Sequence, residues 1–196
     1  MEYIKKIGNR KELYKVVAKT FNVTSALYPG SHVDISPSLV IPDVTYIDNY
    51  KGTINFFADI EPIYDYINQK KDYDEACHIR FYGKNYEDNL DLGKVDLIIS
   101  QYAGFVGQTT KKYLKDEGIL LCNDSHGDAT LAYLDDAFEF IGVVDANNRI
   151  ATQELDQYFQ FARQRKIDIE KVKQTMKGPK YKHQAPNYLF RYKNLF

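Results

Sequence analysis

Cysteine is scarce in this 196-residue chain: only Cys77 and Cys122 occur, both inside apolar runs. Two such thiols make no disulfide framework, and neither a C-x-x-C pair nor a His/Cys cluster suggests zinc. They read as reduced core residues of a cytosolic protein. No apolar run approaches the roughly 20 residues that span a bilayer, so no membrane segment is expected. The opening MEYIKKIGNRKEL lacks the apolar stretch of a secretory signal, and a cytoplasmic location is expected. The pattern G-x-G-x-x-G is also missing, which argues against a nicotinamide-dependent oxidoreductase.

What is present is ordinary in bulk. A composition of 27% charged and 44% hydrophobic residues is that of a globular protein, and the length suits a single domain over 1–196. The net charge of −1 hides an asymmetry. Residues 163–196 carry ten Lys/Arg against two Asp/Glu, whereas residues 1–162 carry 16 against 25. A basic tail on an acidic body suits a phosphate-bearing partner. A solvated charged helix and an edge strand guarded by lysines would give the same count.

The spacing of Leu13, Val16, Val17 and Phe21 predicts an amphipathic helix over 10–21. Apolar runs at 23–28, 44–48, 77–82, 95–100, 119–122 and 140–145 read as six strands. Between them, a short helical turn is expected from Ser36-Pro37, with Ser36 as its cap. Helices are expected over 51–71 with a break near Pro62, about 106–115, 128–138, about 152–165 and 168–177. The end alternates Tyr188, Phe190 and Tyr192 against Leu189, Arg191 and Lys193, which fits a last strand with one packed and one wet face. Such a strand could lie antiparallel at an edge. Strands alternating with helices imply an α/β, Rossmann-like sandwich: a parallel sheet with helices on both faces.

In such a sheet, ligands bind beyond the carboxyl ends of the strands. The first strand leaves into Tyr28-Pro29-Gly30-Ser31, where Gly30 lets the backbone approach a ligand closely. The second leaves into Asp48, a carboxylate placed about 20 residues on to accept from a ribose diol. The third leaves into a loop with Asn85 and Tyr86, an amide for an adenine edge and a ring for its face. The fourth leaves through Ser100 and Tyr102, a small residue and an aromatic suited to a pocket floor. The fifth opens into Asn123-Asp-Ser-His-Gly-Asp128, the densest polar cluster in the chain. His126 there could act as a general base or orient a substrate. A capped helix start would explain Asp124, Ser125 or Asp128 equally. His126 with Asp124 or Asp128 is too sparse a set for a metal, and none is expected.

The order helix, Leu27-Tyr28-Pro29-Gly30-Ser31, then 44–48 ending in Asp48, then 95–100, then Gly118-Ile-Leu-Leu-Cys-Asn123 resembles class I S-adenosylmethionine (SAM) dependent methyltransferases. It looks most like bacterial methyltransferase-like proteins of unassigned substrate, over about residues 10–193. The resemblance implies a seven-stranded sheet with an antiparallel last strand. It implies SAM as cofactor, held near Tyr28, Pro29, Gly30, Ser31 and Ser100, with Asp48 on the ribose and Asn85 or Tyr86 near the adenine. The family's first loop carries an acid and several glycines, whereas this chain has Gly30 alone; no N-P-P-Y-type motif follows strand four. On this reading Tyr102, Ser125, His126 and Asp128 position or deprotonate an unknown acceptor, either a small molecule or nucleic acid. A second reading is a non-catalytic module of the same fold that grips nucleic acid or another polyanion, stacking bases on Tyr181, Tyr188 and Tyr192 between Lys180, Lys182 and Arg191.

Overall fold

The computed structural model describes residues 9–194. Helix α1 (Lys11–Phe21) buries Leu13, Tyr14, Val17 and Ala18 as one stripe and stops at Asn22, which takes a left-handed conformation and donates its N–H to the Ala18 carbonyl. The chain continues through β1 (Ser25–Pro29), a 3-10 turn (Ser36–Leu39), β2 (Asp43–Ile47), α2 (Lys51–Ala58), α3 (Glu61–Lys70), β3 (His78–Tyr82) and β4 (Val95–Ser100). After these come α4 (Val106–Thr110), β5 (Leu114–Cys122), α5 (Asp128–Tyr133), β6 (Phe138–Val144), β7 (Ile150–Ala151), α6 (Ile169–Thr175) and β8 (Asn187–Tyr192).

The sheet order is β3-β2-β1-β4-β5-β8-β6-β7. Neighbours from β3 to β5 are parallel, and β8 is antiparallel to both β5 and β6. Seven full strands with one reversed last strand match the expected sheet, and the two-residue β7 adds an eighth at the β6 edge. Side chains alternate across it. Tyr28, Leu97, Ile99, Ile119, Leu121 and Leu189 join one core with α1 and α3, while Leu27, Ile98, Leu120, Cys122, Tyr188 and Phe190 join a second with α4 and α5. The result is three layers, with the period of two deciding which core each residue enters. Strand order reverses between β1 and β4, the point where an open α/β sheet leaves a crevice at its carboxyl rim. Among the described residues, no helix is long and apolar enough to cross a membrane.

Five expectations are corrected. The helix expected to 115 stops at Thr110, because Leu114 is fully buried opposite Val95; β5 starts there and bulges before Ile119 pairs with Leu97. The helix expected to 138 stops at Tyr133, since Phe138 is already paired with Tyr192. Residues 152–165 hold only a 3-10 turn (Leu155–Gln157). They are anchored by Phe159, whose ring stacks 4.2 Å from that of Tyr133, instead of by a helical stripe. Ser36 does not cap its turn; the Asp34 carboxylate accepts the Ser36 N–H instead, at 3.0 Å. Last, β8 is antiparallel but not an edge strand. It lies between β5 and β6, with Asn187–Phe190 buried on both faces.

Candidate functional site

At the carboxyl rim, β1 turns at Gly30 with φ +62, a left-handed angle that a side chain would strain. The Gly30 N–H bonds the Ile47 carbonyl at 2.7 Å, which fixes the turn to β2. A methyl at Gly30 would lie 2.3 Å from the Ala103 Cβ, so the loops after β1 and β4 touch here. Next along the rim, Asp48 accepts the His32 N–H at 2.8 Å on one oxygen and the Tyr50 N–H at 2.7 Å on the other. Each oxygen keeps lone-pair capacity for another donor. From the β3 exit, Asn85 accepts the Glu87 N–H at 3.1 Å, and the Tyr86 hydroxyl donates to the Ala103 carbonyl at 2.6 Å. Tyr102, from the β4 exit, is 61% exposed and takes a positive φ of 59.

These exits enclose a cleft of about 240 Å³ lined by Gly30, Asp48, Asn85, Tyr86 and Tyr102, all expected from sequence, together with Asn49, Lys84 and Ala103. The last three sit beside expected residues in the same loops, which is the signal that could have found them. Arg10 carried no such signal: its guanidinium lies 5.5 Å from the centre of the Tyr102 ring and 3.4 Å from the buried Asp34 carboxylate.

The other candidates are not in the cleft. Tyr28 points into the core, where its hydroxyl and that of Tyr14 donate to Asp34 at 3.2 and 2.9 Å. Burial pushes both tyrosines well above their ordinary range, and the Asp34 charge adds to it. Pro29 and Ser31 are buried as well, and the Ser31 hydroxyl donates to the His32 carbonyl. Ser100 donates to Asp128 at 2.6 Å. Asp128 is 1% exposed and also accepts the Gly107 N–H at 3.0 Å. Burial pushes the Asp128 carboxyl up to about 6, against the opposing pull of Ser100 and Gly107. Asp124, which accepts the Thr130 N–H and hydroxyl, is likewise raised to about 6 by burial. Ser125 donates to Asn123 at 2.6 Å and lies 3.0 Å from His126 Nδ1. Of the four expected catalytic side chains, Tyr102 alone lines the cleft; Asp128 is sealed in the core, and Ser125 and His126 stand apart at the β5 exit.

Of the three rings expected to stack bases, Tyr181 and Tyr188 are buried, while Tyr192 is half-buried beside Phe138. Tyr181 and Tyr188 are 4% and 1% exposed, packed against Phe159, and Arg191 faces Glu117 at 3.4 Å.

No family profile and no curated protein matches the sequence. Solved structures do. The N-methyltransferase NodS of Bradyrhizobium japonicum, solved with S-adenosyl-L-homocysteine, aligns at TM-score 0.55 and 12% identity over 94% of this chain and 86% of its own. A methyltransferase of Geobacter sulfurreducens aligns at 0.53 and 8% over 98% and 85%. An S-adenosylmethionine-dependent methyltransferase of Clostridium acetobutylicum aligns at 0.51 and 12% over 97% and 95%. The chain has the class I methyltransferase fold. Identities this low speak for the fold alone. In the class I methyltransferase fold of this chain, the cleft at Gly30, Asp48 and Asn85 occupies the switch-point rim where β1 and β4 part.

Proposed function

We propose that the chain is a SAM-dependent methyltransferase whose cleft takes the adenosine half of the cofactor. The observation that carries this reading is the convergence of four separate strand exits, through Gly30, Asp48, Asn85 and Tyr102, on one cleft at the switch point of this fold. The neighbour NodS, solved with S-adenosyl-L-homocysteine (SAH), supports the choice of ligand.

The residues suit the group. Asp48 retains acceptor capacity for the ribose hydroxyls, with its carboxylate already oriented by two backbone N–H groups. The Asn85 amide supplies both donor and acceptor for an adenine edge, and the Gly30 turn offers backbone without a side chain. The cleft's 240 Å³ is below the roughly 300–1,000 Å³ of pockets that swallow a whole ligand, which suits half of this cofactor. Its amino-acid arm would need the Gly30–Ala103 contact to open. Bound there, SAM would supply an electrophilic methyl for transfer to a nucleophilic acceptor. Tyr102, exposed at the rim, positions the acceptor. Positioning dominates the rate of such in-line transfers.

Calorimetry with SAM and SAH tests the reading. Saturable binding that weakens about tenfold in Asp48→Ala is the expected result, the scale of one lost charge-assisted hydrogen bond. No heat and no thermal shift at millimolar ligand would overturn it. A non-catalytic module on the same fold would bind SAH yet transfer no methyl to any acceptor.

A further inference from the structure

A cluster of positive charge without ion pairs among the described residues lies outside the cleft. Arg165, Lys166, Lys171, Lys177 and Lys180 surround a cavity of about 490 Å³ between α6 and its flanking loops. Three other cations of the basic tail are paired, Lys173 with Glu170, Arg191 with Glu117 and Lys193 with Glu139, whereas Arg163 and Lys182 do not line the cavity. None of the five around the cavity forms an ion pair with a described residue. The one acid in the wall, Asp168, accepts the Lys171 N–H at 3.0 Å to cap α6.

The cavity is also built. Arg165 is held with its guanidinium carbon 3.9 Å from the centre of the Phe161 ring. Gly178 presses so closely on the β5 exit that a methyl there would lie 2.1 Å from the Asp124 carbonyl oxygen. The wall therefore touches the same carboxyl rim as the cleft. Met176 links the two. It stands between Thr175 and Lys177 of the cavity wall, and its methyl comes within 3.5 Å of the Cβ position of Gly104, next to Ala103 of the cleft. The Tyr86 hydroxyl lies 2.8 Å from that same point.

Convergent cations in a cavity of this volume suit a compact dianion better than a long strand, which needs an extended basic track with exposed rings. A phosphomonoester carries roughly −1.5 to −2 charges at neutral pH, and an Arg fork matches its oxygens. We propose that the cavity lined by Arg165, Lys166, Lys171, Lys177 and Lys180 binds the phosphate of a phosphorylated small molecule, and that this molecule is the methyl acceptor. The first clause stands on the cavity alone; the second rests on the methyltransferase reading.

The experiment titrates the full chain with ribose 5-phosphate, ribose, inorganic phosphate, an RNA and a DNA oligonucleotide, and SAH, in the native form and in Lys177→Glu/Lys180→Glu. Expected are binding of ribose 5-phosphate but not ribose, loss of about tenfold or more in the variant, the cost of reversing two contacting charges, and unchanged SAH affinity, which shows that the variant is folded. Affinity for inorganic phosphate equal to that for ribose 5-phosphate would mean a bare anion site and overturn the small-molecule assignment. So would binding of an RNA or DNA oligonucleotide alone. Equal binding of ribose and its phosphate, or no loss in the variant, would overturn the site itself. For the acceptor clause, labelled SAM is incubated with a macromolecule-free cell extract before and after phosphatase treatment. Label entering a small molecule only from the untreated extract supports it. Label entering neither, while SAH still binds, overturns the clause and leaves the cofactor reading standing. Absence of SAH binding is the separate failure of that reading.

Discussion

Two parts of the carboxyl rim differ in what their polar groups do. In the loop after β5, hydrogen bonding is spent inward. Asp124 serves Thr130, Asp128 serves Ser100 and Gly107, Ser125 serves Asn123, and the Asn123 amide donates to Gln101 at 3.3 Å. In the cleft, Asp48 is oriented by two N–H groups yet still borders open space, and Tyr102 stands out into solvent. Polar density along a sequence does not distinguish spent bonding capacity from spare. Only spare capacity can meet a ligand, because a satisfied buried group would have to give up a partner to do so.

The contrast breaks if substitutions in the inward loop change ligand binding more than stability, or those in the cleft do the reverse. Asp128→Ala should have the largest effect. It leaves Ser100 and Gly107 without their acceptor, at about 2–4 kcal/mol for two unsatisfied buried groups. Urea unfolding should register that loss, with SAH affinity unchanged. Gly30→Ala should cost about 2 kcal/mol, because a side chain at that positive φ is strained and its methyl meets Ala103. Here SAH affinity should fall as well, measurable by calorimetry on the folded fraction. Asp48→Ala should lose about 1 kcal/mol of stability, as two exposed backbone N–H groups turn to water, while its tenfold binding loss persists.

The comparison also has a pH dependence. Asp124 and Asp128 titrate near 6 when folded, against about 3.9 for an unfolded aspartate. The folded state then holds more protons, so stability is greatest below about pH 4 on their account and falls as pH rises to about 6. Asp96 opposes this: it is held down to about 2, against its burial, by Lys115, Thr24 and Ser25, and its stabilisation is present above about pH 4 and lost below. A net fall in stability between pH 4 and 6 is expected, because a carboxyl held as low as Asp96 gains most of its stabilisation by about pH 4. Thermal melts across that range should flatten in Asp128→Asn, whose side chain cannot ionise.

The sequence made the frame legible where one physical signal dominated. Apolar runs located β1 to β4, and the alternation of strand and helix put Gly30, Asp48 and Asn85 on one rim. It failed where tertiary contacts overrode the local pattern. The polar stretch Lys115-Asp-Glu-Gly118 looks like a helix exit, yet it rides in β5 as a bulge because Leu114 is captured opposite Val95. Residues 152–165 look helical, but Phe159 locks them to the rings of Tyr133 and Tyr188. Arg191 and Lys193 suggested a wet edge; both instead pair with glutamates, on Glu117 and Glu139, at the end of an interior strand. In the site, side-chain direction was the missing information. Tyr28 sits at the right rim, but its ring turns toward Asp34, a partner whose pull no local pattern encodes.

The bond from Tyr86 to the Ala103 carbonyl has a kinetic consequence. It latches the β4 loop down onto the Gly30 turn, so a ligand longer than a nucleoside enters only during moments when the latch is released. Association should therefore be slow and nearly independent of viscosity. Tyr86→Phe, which removes the hydroxyl and leaves the ring, should speed capture of SAH in stopped-flow traces and tighten its binding, because the open form no longer gives up that bond.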